Sequence, residues 1–318
     1  MKKIWKRGLA VGCLIGVMAA SYGEPLQPKA IVSEPAWLLH VDVDALRSTA
    51  VGKQILTQLE SEEEQAKFLV YKMILSFDPR RTLNGVTLYG VTPAPEDGVA
   101  LIQADFDAEH LTRLAEMAED HRTTTNRQHV VRSWIDAKRR VKEGGEPRTY
   151  AAIRGKVVIF GQKEQRVVET LDVLDGLKQS LKPGALLAMP ASAGETVVIE
   201  GAAKQIELKG SEPHAAILKQ AKGISLIVAE KGERVVGTLT LDAESEEVGK
   251  NMAALARGLV ALLALQKDKP ETVKFAQSLS VVEDGTRILI KLSMSSEEII
   301  KAMKSKLAEK AAVIKTGN

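Results

Sequence analysis

Apolar residues recur with two different periods along this chain, and the switching between them outlines an α+β fold. Trp37, Leu39, Val41 and Val43 fall on every second position, which predicts a strand over 37–44 with one apolar face. Ile55, Leu59, Ala66, Leu69 and Met73 then recur at helical spacing, so a long helical region is expected from Thr49 to Ser76. Phe77-Asp78-Pro79 ends it, since proline disfavours helix at the residue before it. Val86 to Val91 and Val99 to Phe106 read as strands joined by a turn-rich loop. Asp107 is placed to cap a helix from Ala108 to Asp120. Thr123 to Ile135, with many β-branched residues, reads as one strand, and Asp136 to Arg148 as a charged loop. A hairpin about Arg154-Gly155 and a helix from Lys163 to Leu174 follow, with Gly176 suited to the helix end.

Proline and glycine at Lys182-Pro183-Gly184 and from Pro190 to Gly194 mark a junction. The order of elements then repeats. Thr196 to Glu200 is a strand and Glu212 to Ala221 a short helix. Ile224 to Ala229 and Val235 to Leu241 form a hairpin about Lys231-Gly232. A long helix runs from Ser245 to Gln266, and its apolar surface on every side is that of a helix buried in protein. A hairpin about Asp284-Gly285 precedes a last helix at Ser295, where Ser295 and Glu298 have capping-box spacing. Asp107-Ala108-Glu109 and Asp242-Ala243-Glu244 stand at matching helix starts. The expectation is two similar halves, 24–182 and 195–318, with a junction over 183–194. Each is expected to hold its own antiparallel sheet with helices on one face, in a ferredoxin-like arrangement produced by internal duplication.

The start of the chain has a different character. Lys2, Lys3, Lys6 and Arg7 precede an apolar run from Gly8 to Ala20, and Ala19, Ser21 and Gly23 are small. This is the pattern of a secretory signal peptide over 1–23, cleaved after Ser21 or Gly23. The run is short for a membrane span, which needs about 20 apolar residues. Ala10 stands where a lipobox usually has leucine, which argues against acylation of Cys13. A periplasmic or extracellular address follows.

Export changes the charge balance. The chain has 44 basic and 41 acidic side chains and a net charge of +3. Four of the basic and none of the acidic ones precede Glu24, leaving 40 against 41 and a net charge of −1. No global positive field remains to drive nucleic-acid binding. Cys13 is the only cysteine, so the exported chain has no disulfide, thiolate nucleophile or cysteine ligand. Aromatic residues are too few for the girdles of a membrane barrel.

Candidate chemistry is sparse. Alternation puts His40, Asp42 and Asp44 on one strand face, and Asp105 and Asp107 end a strand expected beside it. One imidazole among carboxylates is suited to divalent metal or to acid–base work. The ordinary reading is the solvated face of a one-sided sheet, with Asp107 as a helix cap. Lys138, Arg139, Arg140, Lys142 and Arg148 form a basic stretch, read as a solvated loop or as a weak contact with an anionic surface. His110, His121, His129 and His214 are isolated, and metalloprotease, nucleophile-elbow, Walker and dinucleotide motifs are absent. No catalytic, metal or cofactor residue is assigned.

The recurring hairpin-helix units resemble exported bacterial α+β proteins of unknown function, over most of the chain after the signal. That resemblance carries no catalytic motif and implies no functional residue. The expected function is that of an exported binding or protein-interaction protein, its partner an unidentified envelope protein or ligand. The alternatives are a hydrolase using His40, Asp42 and Asp105, and a structural component of the envelope.

Overall fold

The computed structural model describes residues 25–60, 69, 77–143, 145–185, 193–204, 220–266 and 268–305. The expected signal segment, Cys13, most of 61–76, and His214 with most of its expected helix lie outside the described residues. The first half runs β1 Trp37–Asp42, α1 Val43–Ser48, α2 Ala50–Leu59, α3 Pro79–Thr82, β2 Leu83–Gly90, β3 Gly98–Ala104 and α4 Ala108–Glu116. It continues with β4 Arg122–Asn126, β5 His129–Ile135, α5 Ala137–Glu143, β6 Arg148–Arg154, β7 Val157–Gly161 and α6 Glu164–Leu174. The second half runs β8 Thr196–Ala203, β9 Ala221–Lys231, β10 Arg234–Ala243, α7 Glu246–Ala264, α8 Pro270–Gln277, β11 Leu279–Asp284 and β12 Arg287–Ser295. A last helix, α9, begins at 296 and is described to 305.

The fold is α+β, but the strands form one sheet and not two. Its order is β11-β12-β10-β9-β8-β1-β2-β3-β7-β6-β5-β4. The first strand of each half meets the other at the centre, where Trp37 to Val41 pair with Ala203 to Ile199. Among the described strands every pairing is antiparallel, and β1 and β2, which helices join in sequence, are direct neighbours with no strand inserted between them, so the sheet does not establish a ferredoxin-like arrangement for the halves. The spatial orders β1-β2-β3-β7-β6 and β8-β9-β10-β12-β11 do match, and β5-β4 extend the first half.

Several local signals act as the sequence implies. Gly155, Gly232 and Gly285 take positive φ at the tips of their hairpins. The Ser245 side chain accepts from Val248 N at the start of α7. Ser295 and Glu298 exchange the two capping contacts of a capping box at α9. Other stretches differ. The single strand expected over 123–135 is a hairpin, turning at Arg127 with φ of +55° in place of a glycine. The expected charged loop contains α5, whose first turn donates from Lys138 N and Arg139 N to Asp136 Oδ1. Proline at its N-terminus opens α8, where no helix is expected. Ala221 opens a strand instead of closing a helix.

Register divides the sheet into two faces. On one, Leu38, Tyr89, Val99, Leu101, Val131, Ala152 and Ile159 pack beneath Val167 and Leu171 of α6. The segment before β1 also packs there through Ile31 and Val32. The other face carries Leu39, Leu88, Ala100, Arg132, Trp134, Ala151, Val158 and Phe160, and α4 lies over part of it. In the second half α7 covers this same face, with Met252, Ala253 and Ala256 on Leu241 and Ile288. Yet Leu255, Leu262 and Leu265 of α7 are exposed, so the helix is buried on one side and not all round.

Candidate functional site

The first candidate is the polar row of β1. Its alternation is inverted relative to expectation: His40 is 1% exposed and Asp42 6%, while Leu39 and Val41 are half-buried or buried only in part. The solvated-face reading is therefore wrong. Strands flank β1 on both sides, and register puts His40 and Asp42 on the same sheet face as Leu38 and Tyr89, the face on which α6 packs farther along the sheet. His40 lies opposite Thr87 on one neighbour and Glu200 on the other. His40 Nδ1 and Thr87 Oγ1 are hydrogen-bonded at 2.8 Å, with the donor set by the tautomer. Asp42 Oδ1 accepts from Ala45 N at 2.7 Å and caps α1. Burial pushes the Glu200 carboxyl above its ordinary range, and the charge of Asp42 adds to the rise.

The other acids expected in this cluster are elsewhere. The strand ends at Asp42, so Asp44 sits in the first turn of α1 and pairs with Arg47. Asp105 is exposed and accepts from Lys156 Nζ at 2.5 Å. Asp107 accepts from Glu109 N and His110 N as the cap of α4. His129 is bound to Asp175 at 2.7 Å, and that contact, with Arg154, holds the Asp175 carboxyl below its ordinary range. Among the described residues no three His, Cys, Asp or Glu side chains are grouped to hold a metal. In the basic stretch, Arg140 is paired with Glu119 and Arg148 with Asp120. Lys138 and Lys142 remain exposed.

The second candidate is a cleft that no sequence pattern indicates. It lies between α4 and the strands β5, β6 and β7, with a volume of about 290 Å³. Asp107 caps α4, and Leu111, Leu114 and Ala115 share one side of it at helical spacing. That side faces the cleft, and no residue of α4 is buried. The floor follows from register. Arg132, Ala151 and Phe160 form one row across β5, β6 and β7, and Trp134 stands two residues along from Arg132. Trp134 and Phe160 meet edge to face, with centroids 6.5 Å apart. Ala151 is the small residue between larger ones, and the hollow lies above it. Beyond Phe160 a second groove, of about 280 Å³, runs toward Trp37, Leu88 and Ala100.

A larger cavity, of about 350 Å³, lies on the opposite face of the second half among Ser225, Thr238, Thr240, Ser280 and Ser293. Its lining is rich in hydroxyls, and no buried polar side-chain atom there lacks a partner among the described residues. The cleft under α4 differs in that respect. Among the described residues, the two buried side-chain nitrogens without a hydrogen-bond partner are Arg132 Nε and His121 Nε2. Arg132 lines the cleft, and His121 continues the β4 register to the position opposite Trp134.

No family model matches the chain, and no curated protein matches it. Two crystal structures of TP0453 align with it at 10% identity. Crystal form I covers 88% of this chain and 98% of that one, with a TM-score of 0.46. Crystal form III covers 89% and 99%, with a TM-score of 0.49. No characterised family is thereby matched, and likeness at this level bears on no functional residue. No described helix is long and apolar enough to cross a membrane.

Proposed function

We propose that this is an exported, non-catalytic binding protein of the bacterial envelope, and that its ligand site is the cleft under α4. The observation that carries the reading is an apolar hollow of about 290 Å³ under a helix that buries none of its own residues. Largely apolar concavities with a few polar groups are where small ligands bind. Export rests on the pattern of residues 1–23, with cleavage after Ser21 or Gly23. N-terminal sequencing of material recovered outside the cytoplasm should begin at Tyr22 or Glu24; an intact Met1 contradicts it. The matching strand orders of the halves support an internal duplication, in which α4 and α7 hold equivalent places.

The cleft is tested with a neutral probe. Octanol should shift the emission of Trp134, identified by loss of the signal in Trp134→Phe. Ala151→Leu, which fills the hollow, should abolish the shift. Unchanged emission up to the solubility limit of octanol, or an Ala151→Leu protein that still responds, contradicts the site.

One observation favours a second reading. Buried His40 and Asp42 share a sheet face with the partly buried Glu200 opposite His40, and a carboxyl held above its ordinary range is a feature of acid–base sites. Hydrolysis of ester, phosphate, peptide or glycan substrates that is lost in both His40→Gln and Glu200→Gln supports it. Activity retained in both variants removes it.

A further inference from the structure

The face of the second half turned away from α7 carries a polar cavity of about 350 Å³ that lies apart from the cleft under α4. Register arranges its floor. Ser225 lies opposite Thr240 across β9 and β10, and Thr238 lies opposite Lys291 across β10 and β12. Ser280 of β11 flanks Lys291 on its other side, and Ser293 stands two residues along from it. Ser225 and Thr240 are 6% and 2% exposed. Neither hydroxyl makes a hydrogen bond among the described residues, and neither is a sealed atom, so both open into the cavity. Polar groups in so buried a place take a partner, and here it comes from whatever fills the cavity.

The rim of the cavity along β12 is positive. Lys291 is exposed and makes neither an ion pair nor a hydrogen bond among the described residues. Arg234 donates from Nε to Ser293 Oγ at 2.9 Å and from Nη2 to Ser293 O at 2.8 Å, which fixes its guanidinium beside the same wall. Its Nη1 has no partner among the described residues. The nearby acids are engaged. Glu298, which feels the charge of Arg234, is bonded to Ser295, and Glu195, on the β8 side of the cavity, lies 3.9 Å from Lys231.

We infer that this cavity takes a small phosphorylated polyol, its phosphate at Lys291 and Arg234 and its hydroxyls over Thr240 and Ser225. An ammonium, a guanidinium fixed in place and the hydroxyls of Ser280 and Ser293 are the groups that hold a phosphate oxyanion. Serine and threonine hydroxyls both donate and accept, which suits a ligand that itself carries hydroxyls. Thr240 is one strand across and two residues along from Lys291, roughly 8 Å away, so a phosphate at the rim leaves a short polyol above the floor. Size agrees. At roughly 30 Å³ for each water-sized group, the cavity holds about twelve non-hydrogen atoms. The site is on the other half and the other face of the sheet from the cleft under α4, and it stands whether or not that cleft binds.

Glycerol 3-phosphate is the probe, titrated into the full chain by calorimetry beside glycerol and inorganic phosphate. It should bind about tenfold more tightly than either. Lys291→Met, at an exposed position, should weaken it about tenfold or more, the worth of one contact to a charged group. Thr240→Val should weaken it about threefold to tenfold and leave the urea midpoint unchanged or raised, since its hydroxyl gives up no partner in the chain. The octanol response of Trp134 should be the same in Lys291→Met as in the wild type, which separates this site from the cleft. No binding of the ester, or binding that both Lys291→Met and Arg234→Gln leave intact, overturns the site. Inorganic phosphate bound as tightly as the ester, with Thr240→Val silent, overturns the polyol. Binding to phosphatidylglycerol vesicles without binding of the free ester overturns the inference in favour of a membrane surface. Should Thr240→Val fail to fold, Ser225→Ala takes its place with the same expected weakening.

Discussion

The strands β5, β6 and β7 present two faces built from alternate residues of the same segments, and the two are finished differently. Beneath α6, Val131, Ala152 and Ile159 are closed over by Val167 and Leu171, all buried. The Tyr89 hydroxyl donates to Thr170 Oγ1 at 2.7 Å, since Thr170 gives its own proton to Arg166 O. Burial pushes the Tyr89 hydroxyl up to about 12. Asp97 ties the start of β3 to α6, accepting from Lys163 Nζ and Arg166 Nε at 3.0 Å each, and these contacts hold its carboxyl at about 2. Beneath α4 there is a hollow lined in part by Arg132, whose buried Nε has no partner, and α4 itself has no buried residue. One face uses its side chains for closure, and the other leaves apolar surface open. On the proposed function, stability and binding are divided between alternate residues of a few strands.

The comparison is broken most severely at the centre of the closed face. Leu171→Ala should cost about 2–5 kcal/mol, as for other buried leucines. Leu114→Ala on α4, already beside empty space, should cost no more than about 1 kcal/mol in the same urea titration. Comparable losses at both positions would mean that α4 is packed as tightly as α6.

Adjacent alanines sharpen it. Ala152→Leu pushes three more carbons into a closed core and should cost about 1–3 kcal/mol. Ala151→Leu enters the hollow instead, and should be neutral or raise stability by about 0.5–2 kcal/mol. Equal destabilisation of the two proteins contradicts the assignment of faces. Tyr89→Phe removes one buried hydrogen bond and should lower stability by about 1 kcal/mol. No change in its unfolding midpoint would show that the Tyr89–Thr170 contact is not made.

The smallest effect lies at the seam between the halves. The folded-state pKa of Glu200 is raised, so the native state binds this proton more tightly than the unfolded one. Stability then falls as pH rises from the ordinary glutamate range through the raised value. Glu200→Gln should be more stable than the wild type at neutral pH, and the advantage should vanish in acid, below the unfolded pKa. A difference independent of pH would place the effect of the substitution in packing.

Much of the closed framework was legible in the chain because its signals are local. Glycines at the hairpin tips, Ser245, Asp107 and the Ser295–Glu298 pair each act within a few residues. The β4–β5 turn was missed because Arg127 holds the positive φ that a glycine usually signals. Helices α5 and α8 were marked by Asp136 and Pro270, but charge in one and shortness in the other masked them. The polar face of β1 was misread for a different reason. Alternation identifies the inward face only where one side of a strand meets water, and β1 lies at the centre of the sheet, where the polar His40 and Asp42 are buried and the apolar Leu39 and Val41 only partly so. The cleft was not legible at all. It depends on Arg132, Ala151 and Phe160 falling into one row, and register across three strands is not written in any single segment.

Methyl NMR of the full chain during titration with octanol tests the division between the faces most directly. The account predicts shifts at Leu111, Leu114, Ile153 and Val158, with Val131, Ile159, Val167 and Leu171 unmoved. Shifts centred on the α6 face or on the second half, with the α4 group unmoved, would contradict it.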